Sequence, residues 1–242
     1  MSIARVELNV PARPWNIVID VAQSLPLGCW TLVGGLMTKV HALLEGYESR
    51  ATVDVDLLVD VMSSSANISR VVACLKEMSF KPQEPGFHHS PFYRMVRDDD
   101  IVDILLADHL PRGKAQRATY NGWPLMEVAG GAQAQERRFE VELAYEGGAS
   151  RIFVPDRLGA IVLKCAAYMN DTRLRERHLE DIALLVSLPL DLATELERLH
   201  GSDKKRLRAA AKALSDPNNS AWMLLPKDIR IQGMDNLEAL AG

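Results

Sequence analysis

The chain has 242 residues, 48% of them hydrophobic and 25% charged, with a formal net charge of −4; this is an ordinary soluble globular composition with room for a sizeable core. The negative balance excludes a global field that would draw the chain onto nucleic acid, so any such contact must rest on local basic patches. Three scattered cysteines without a C-x-x-C pair (Cys29, Cys74, Cys165), no apolar leader in Met1 to Arg13, and no apolar run of membrane-span length point to a reduced, cytoplasmic protein with no membrane partner. In chain order, Pro14 to Ser24 reads as a helix with Ile17, Val18, Val21 and Ala22 on its apolar side. Trp30 to Val33 is a short buried strand, cut off by Gly34-Gly35. A helix follows over Leu36 to Leu44, and Gly46 marks its exit.

Thr52 to Val59 reads as the next strand. Side chains alternate faces along a strand, so Val53, Val55, Leu57 and Val59 fill one face while Asp54 and Asp56 share the other. Two carboxylates about 7 Å apart on an apolar strand repel each other and resist desolvation. A divalent cation relieves both penalties. Hard cations such as Mg²⁺ take one or two carboxylates plus substrate phosphates, so the pair points to a metal-dependent phosphate site. Gly34-Gly35, at a strand–helix junction, allows close approach of a ligand to the main chain. The helix behind it offers free N–H groups to an anion.

Asn67 to Met78 continues as an amphipathic helix. Phe92 to Val96 and Ile101 to Leu106 form two strands around an Asp98-Asp99-Asp100 turn, whose acids read as solvated. Arg112 to Ala118 is a basic connector. Arg138 to Leu143 and Arg151 to Val154 are strands split by Gly147-Gly148. After Pro155 the pattern turns helical. Asp156 caps a helix carrying Leu158, Ile161, Val162, Cys165 and Met169 on one side. Helices over Glu176 to Leu188, Leu190 to His200 and Lys204 to Leu214 follow, and Pro217-Asn218-Asn219 breaks the last of them. The expected organisation is α+β: a mixed sheet flanked by helices over 1–154, then a helical lobe over 155–242 that completes the active-site cleft.

A glycine turn, a helix and a strand bearing Arg50-Ala51-Thr52-Val53-Asp54-Val55-Asp56 together resemble the nucleotidyltransferase superfamily, the polymerase-beta-like fold. The R-x-T-x-D-x-D form and the helical segment beyond Pro155 look most like the toxin-type nucleotidyltransferases of abortive-infection and toxin–antitoxin systems. The resemblance runs from about Trp30 to Leu185. It implies a third carboxylate on a neighbouring strand, matched by Asp103 in Ile101-Val102-Asp103-Ile104-Leu105, with Asp54, Asp56 and Asp103 as metal ligands and catalytic acids. It also implies a triphosphate-holding lysine, matched by Lys164. Asp181, in the charged segment Arg175 to Leu185, would orient that lysine or touch the substrate. Gly34, Gly35, Thr38, Arg50, Thr52 and Lys164 become the nucleotide-binding set.

The chain departs from the family where many members place serine or threonine beside the glycine pair: Leu36 and Met37 stand there, and Thr38 comes later. The implied activity is transfer of an NMP from an NTP to a hydroxyl, with Mg²⁺ or alternatively Mn²⁺, on tRNA or another RNA, by a toxin with a cognate antitoxin. The alternatives are a small-molecule (aminoglycoside-like) or protein acceptor, and a nucleotide-binding regulatory module without catalysis. His88-His89 read as loop residues and His41 as a half-buried packing residue. The clusters Arg112/Lys114/Arg117, Arg173/Arg175/Arg177 and Lys204/Lys205/Arg206/Arg208/Lys212 read as solvated faces, with RNA phosphates as the alternative partner.

Overall fold

The computed structural model describes residues 3–8, 12–86, 90–115 and 118–242; His88, His89 and Arg117 lie outside them. The chain divides into two compact units, one of Met1–Met37 with Ala51–Pro155, the other of Thr38–Arg50 with Asp156–Gly242. The second unit thus takes a segment that precedes the acidic strand, besides the C-terminal helices.

The elements of the first stretch are β1 (Ala4–Leu8), α1 (Trp15–Ser24), β2 (Trp30–Val33), α2 (Gly34–Leu44), β3 (Asp54–Val59), α3 (Asn67–Glu77), β4 (Lys81–Pro82), β5 (Arg94–Arg97) and β6 (Asp100–Ala107). There follow α4 (Arg112–Ala115), β7 (Thr119–Tyr120), β8 (Trp123–Pro124), β9 (Met126–Val128), α5 (Gly131–Glu136), β10 (Arg138–Tyr145) and β11 (Gly148–Pro155). A six-stranded mixed sheet runs β2-β3-β6-β5-β4, with β9 also on β6, and a three-stranded sheet runs β1-β10-β11. β3 and β6 lie parallel at the centre of the larger sheet, where Val55, Leu57, Val102 and Ile104 are wholly buried. These are mixed sheets flanked by helices, an α+β fold. No helix among the described residues is long and apolar enough to cross a membrane.

Several sequence expectations change. The two glycines do not precede the helix as a loop; they form its first turn. Val53 falls before β3 and is 66% exposed, so the apolar face of that strand begins at Val55. Asp100 is no solvated turn residue. It opens β6, is buried, and meets Arg97 at 2.9 Å and Arg13 at 3.2 Å. Ala4–Leu8 pairs with β10 in parallel, a strand that the short N-terminal segment did not suggest.

In the second unit, α6 (Arg157–Asn170), α7 (Arg175–Ser187), α8 (Leu192–Glu197), α9 (Asp203–Ala213), α10 (Ser220–Met223) and α11 (Lys227–Ala241) follow in order. Asp156 caps α6 by accepting from Gly159 N at 2.9 Å. Met169 is 39% exposed, so the apolar side of α6 ends at Ala166. The fifteen-residue α11 packs on α7. Gly233 permits that closeness, because a Cβ there would meet Ser187 Oγ at 1.9 Å. Asn236 then donates to Val186 O at 2.8 Å.

His41 is buried outright rather than half-buried, and its Nδ1 accepts from Arg157 Nε at 3.2 Å. The basic face of α9 is partly structural. Arg206 is buried, and Arg208 donates to Ala241 O and Gly242 O at 2.9 and 2.8 Å. A cation there answers the partial negative charge at the end of α11. Lys114 also serves the fold, donating to Val61 O at 3.0 Å.

Candidate active site

In the first unit, β2, β3, β6 and β5 lie side by side with Val33 opposite Asp56, Asp56 opposite Asp103, and Asp103 opposite Arg94. Residues paired across neighbouring strands point to the same face. The row therefore carries two carboxylates and a guanidinium on one face of the sheet. Asp54, two residues before Asp56, shares that face, and both acids are half-buried while Val55 and Leu57 on the other face are fully buried. The charge of Asp54 acts on both Asp103 and Arg94, which puts it within electrostatic reach of the row.

The chain turns from Val33 directly into α2 at Gly34, whose φ is +70°. A Cβ on Gly34 would stand 1.7 Å from Asp56 Oδ2 and 2.9 Å from Asp56 Cβ. Glycine is required twice over here, once by the left-handed backbone and once by the carboxylate that fills the place of a side chain. The positive end of α2 thus begins in contact with an acid of the sheet. Gly34→Ala is expected to cost about 1–3 kcal/mol of stability. It should also displace the Asp56 carboxylate and slow turnover about 100-fold. Urea unfolding and a transfer assay on the same sample check both effects; parental turnover would show that the close approach is dispensable.

Asp103 is more deeply buried than Asp54. Arg94 Nε donates to its Oδ1 and Arg94 Nη2 to its Oδ2, both at 2.8 Å. Burial pushes the Asp103 carboxyl pKa up, Arg94 pulls it back, and the Asp54 charge pushes it up again. The same hydrogen bonds hold the Arg94 guanidinium more firmly protonated against its own burial. Sequence reasoning missed Arg94. The signal was nonetheless present: Arg94 and Asp103 stand equally far from the Asp98-Asp99 turn, as do Arg97 and Asp100, and a tight hairpin pairs residues in that way. Asp108, just beyond the end of β6, accepts from Gly130 N and Ala132 N at 2.7 and 3.0 Å and so serves the start of α5.

The second unit holds its own polar cluster. Lys164 on α6 donates to Asp181 Oδ2 on α7 at 2.5 Å, and the two side chains are 5% and 2% exposed. Lys164 is thus a buried lysine with a carboxylate partner. Arg50 closes on the same carboxylate, Nε to Oδ1 at 3.0 Å and Nη2 to Oδ2 at 3.1 Å. His178, one turn before Asp181, lies with Nε2 3.4 Å from Asp171 Oδ2. Its burial, and then the Lys164 charge, hold its pKa below the usual imidazole range. Thr52 is half-buried ahead of β3. Thr38 is fully buried, and among the described residues its Oγ1 has no hydrogen-bond partner.

The model of one protein family, the nucleotidyl transferase AbiEii toxin of type IV toxin–antitoxin systems, matches residues 20–239. The chain belongs to this family. No curated protein and no solved structure matches it.

The AbiEii match takes in both the acidic row and the Lys164–Asp181 cluster. With Leu36 and Met37 fully buried behind the glycines, the donors at the start of α2 are its backbone N–H groups. Among the described residues no three His, Cys, Asp or Glu side chains are grouped to hold a metal ion by themselves. The oxygens of Asp54 and Asp56 nevertheless fit Mg²⁺, which commonly takes one or two carboxylates and completes its shell with water and substrate phosphate.

Proposed function

We propose that this AbiEii-family chain is an Mg²⁺-dependent nucleotidyltransferase that moves an NMP from an NTP to an acceptor hydroxyl on tRNA or another RNA, and that it does so as the toxin partnered by a cognate antitoxin. The observation that carries the reading is the contact of Gly34 with Asp56, in a row with Asp103 and on one face with Asp54. Asp54 and Asp56 would hold the ion. When bound, Mg²⁺ supplies charge neutralisation of the phosphates and steadies the attacking and leaving oxygens.

The chain's own groups do the rest. Backbone N–H groups at the start of α2 bind phosphate oxygens. Asp103 accepts the proton of the acceptor hydroxyl as that oxygen attacks the α-phosphorus in line and pyrophosphate leaves. By the resemblance Lys164, Arg50 and Thr52 would belong to the nucleotide-binding set, with Asp181 holding the Lys164 ammonium and the Arg50 guanidinium in place. Manganese is the alternative ion, since it accepts the same oxygen donors.

The test is incubation of the protein with Mg²⁺, total RNA and each labelled NTP in turn. Label should enter RNA, with pyrophosphate released in equal amount. Label on an aminoglycoside-like compound or on protein would change the acceptor and leave the chemistry. No transfer to any acceptor with ATP, CTP, GTP and UTP would overturn the reading.

A further inference from the structure

The proposed metal site has one feature the reaction scheme leaves unexplained: the third acid is already taken. Three ionised carboxylates on one sheet face, two of them half-buried and Asp103 only 8% exposed, would repel strongly and lose hydration. Arg94 removes one of those charges from the balance. Its guanidinium meets both Asp103 oxygens at 2.8 Å from the directly paired position on β5. The fork is the geometry that suits arginine and that a lysine cannot reproduce. The ring of Tyr93 lies 5.3 Å from the Arg94 Cζ and backs it from one side.

We propose that Arg94 is a positioning residue that keeps Asp103 charge-compensated and engaged toward β5, so that a divalent ion meets two carboxylates at this face rather than three. The inference rests on the metal-dependent reading above. It accounts for the lack of any three-acid group suited to a metal among the described residues. It also assigns Asp103 to the proton rather than to the ion: Arg94 takes one lone pair of each Asp103 oxygen, and the other lone pairs remain to accept from an incoming hydroxyl.

The test measures Mn²⁺ binding without nucleotide, by electron paramagnetic resonance and by calorimetry. Four forms of the full chain are compared: the parent, Arg94→Ala, Arg94→Gln and the double variant Arg94→Ala/Asp103→Asn. Removing the guanidinium releases a third carboxylate to the ion, so Arg94→Ala should bind Mn²⁺ about tenfold tighter than the parent. Arg94→Gln, which keeps a hydrogen-bonding group without the charge, should move the same way and stands in if Arg94→Ala fails to fold. The double variant should return to the parental affinity.

A folded Arg94 variant with unchanged or weaker Mn²⁺ binding would overturn the inference. So would a double variant that binds as tightly as the single one. Failure of the parent to take up Mn²⁺ at all would instead strike the metal-dependent reading, and it would be seen before any variant is compared.

Discussion

Asp56→Asn should lower nucleotidyl transfer by about 1,000-fold or more, the equivalent of roughly 4 kcal/mol of lost transition-state stabilisation. The fold should remain intact. Asparagine has the shape of aspartate, so it can occupy the space beside Gly34 that a methyl group cannot share. What it lacks is the charge that would help hold the ion. Thermal unfolding within about 3 °C of the parent, together with loss of label transfer, is the expected pair of results. A variant that retains a tenth of parental turnover would remove Asp56 from the chemistry and with it the central acid of the row.

Asp181→Ala should show its largest effect in stability. Lys164 is almost wholly buried, and Asp181 is its counter-ion as well as that of Arg50. Taking one partner from a buried pair leaves a charge without compensation, a loss of about 3–5 kcal/mol. Typical domains have only about 5–15 kcal/mol in total, so this variant should sit near the edge of folding. The double replacement Lys164→Met/Asp181→Leu should lose less than the single one, because it leaves no buried lysine charge behind. Urea unfolding of the three proteins decides the matter. A single variant within about 1 kcal/mol of the parent would mean that Lys164 finds water or another acid.

Much of the site was legible because the chemistry is written at short range. The D-x-D alternation of β3 needs only the two-residue period of a strand. The glycines at the β2–α2 junction need only the junction itself, although the clash that explains Gly34 involves Asp56, more than twenty residues away, and no local pattern carries it. Lys164 and Asp181 were found through resemblance. Arg50 reads from its motif as a nucleotide ligand, while its fork to Asp181 is a long-range contact that spacing does not give.

The parts that escaped were of two kinds. β1 is five residues long and owes its existence to β10, well over a hundred residues later; a strand so short has little periodicity of its own. α11 has a broken apolar pattern because Gly233 and Asn236 make its contacts with α7 through close approach and a hydrogen bond. The basic run on α9 is exposed at Lys204, Lys205 and Lys212, as its composition suggests, and departs from a solvated face at the two arginines. Arg206 and Arg208 look alike in sequence, yet one is buried and the other answers the last carbonyls of the chain.

The β5–β6 hairpin sets a limit on how this protein can vary. Arg94 with Asp103, and Arg97 with Asp100, are matched by counting outward from the Asp98-Asp99 tip. One residue inserted or deleted there would slide the two strands by a step and turn every following side chain to the opposite face. Both guanidiniums would lose their carboxylates together. At this spot the length of the loop is fixed, and its spelling is limited too, because Asp98 sits at φ +51°, where a β-branched residue would be strained.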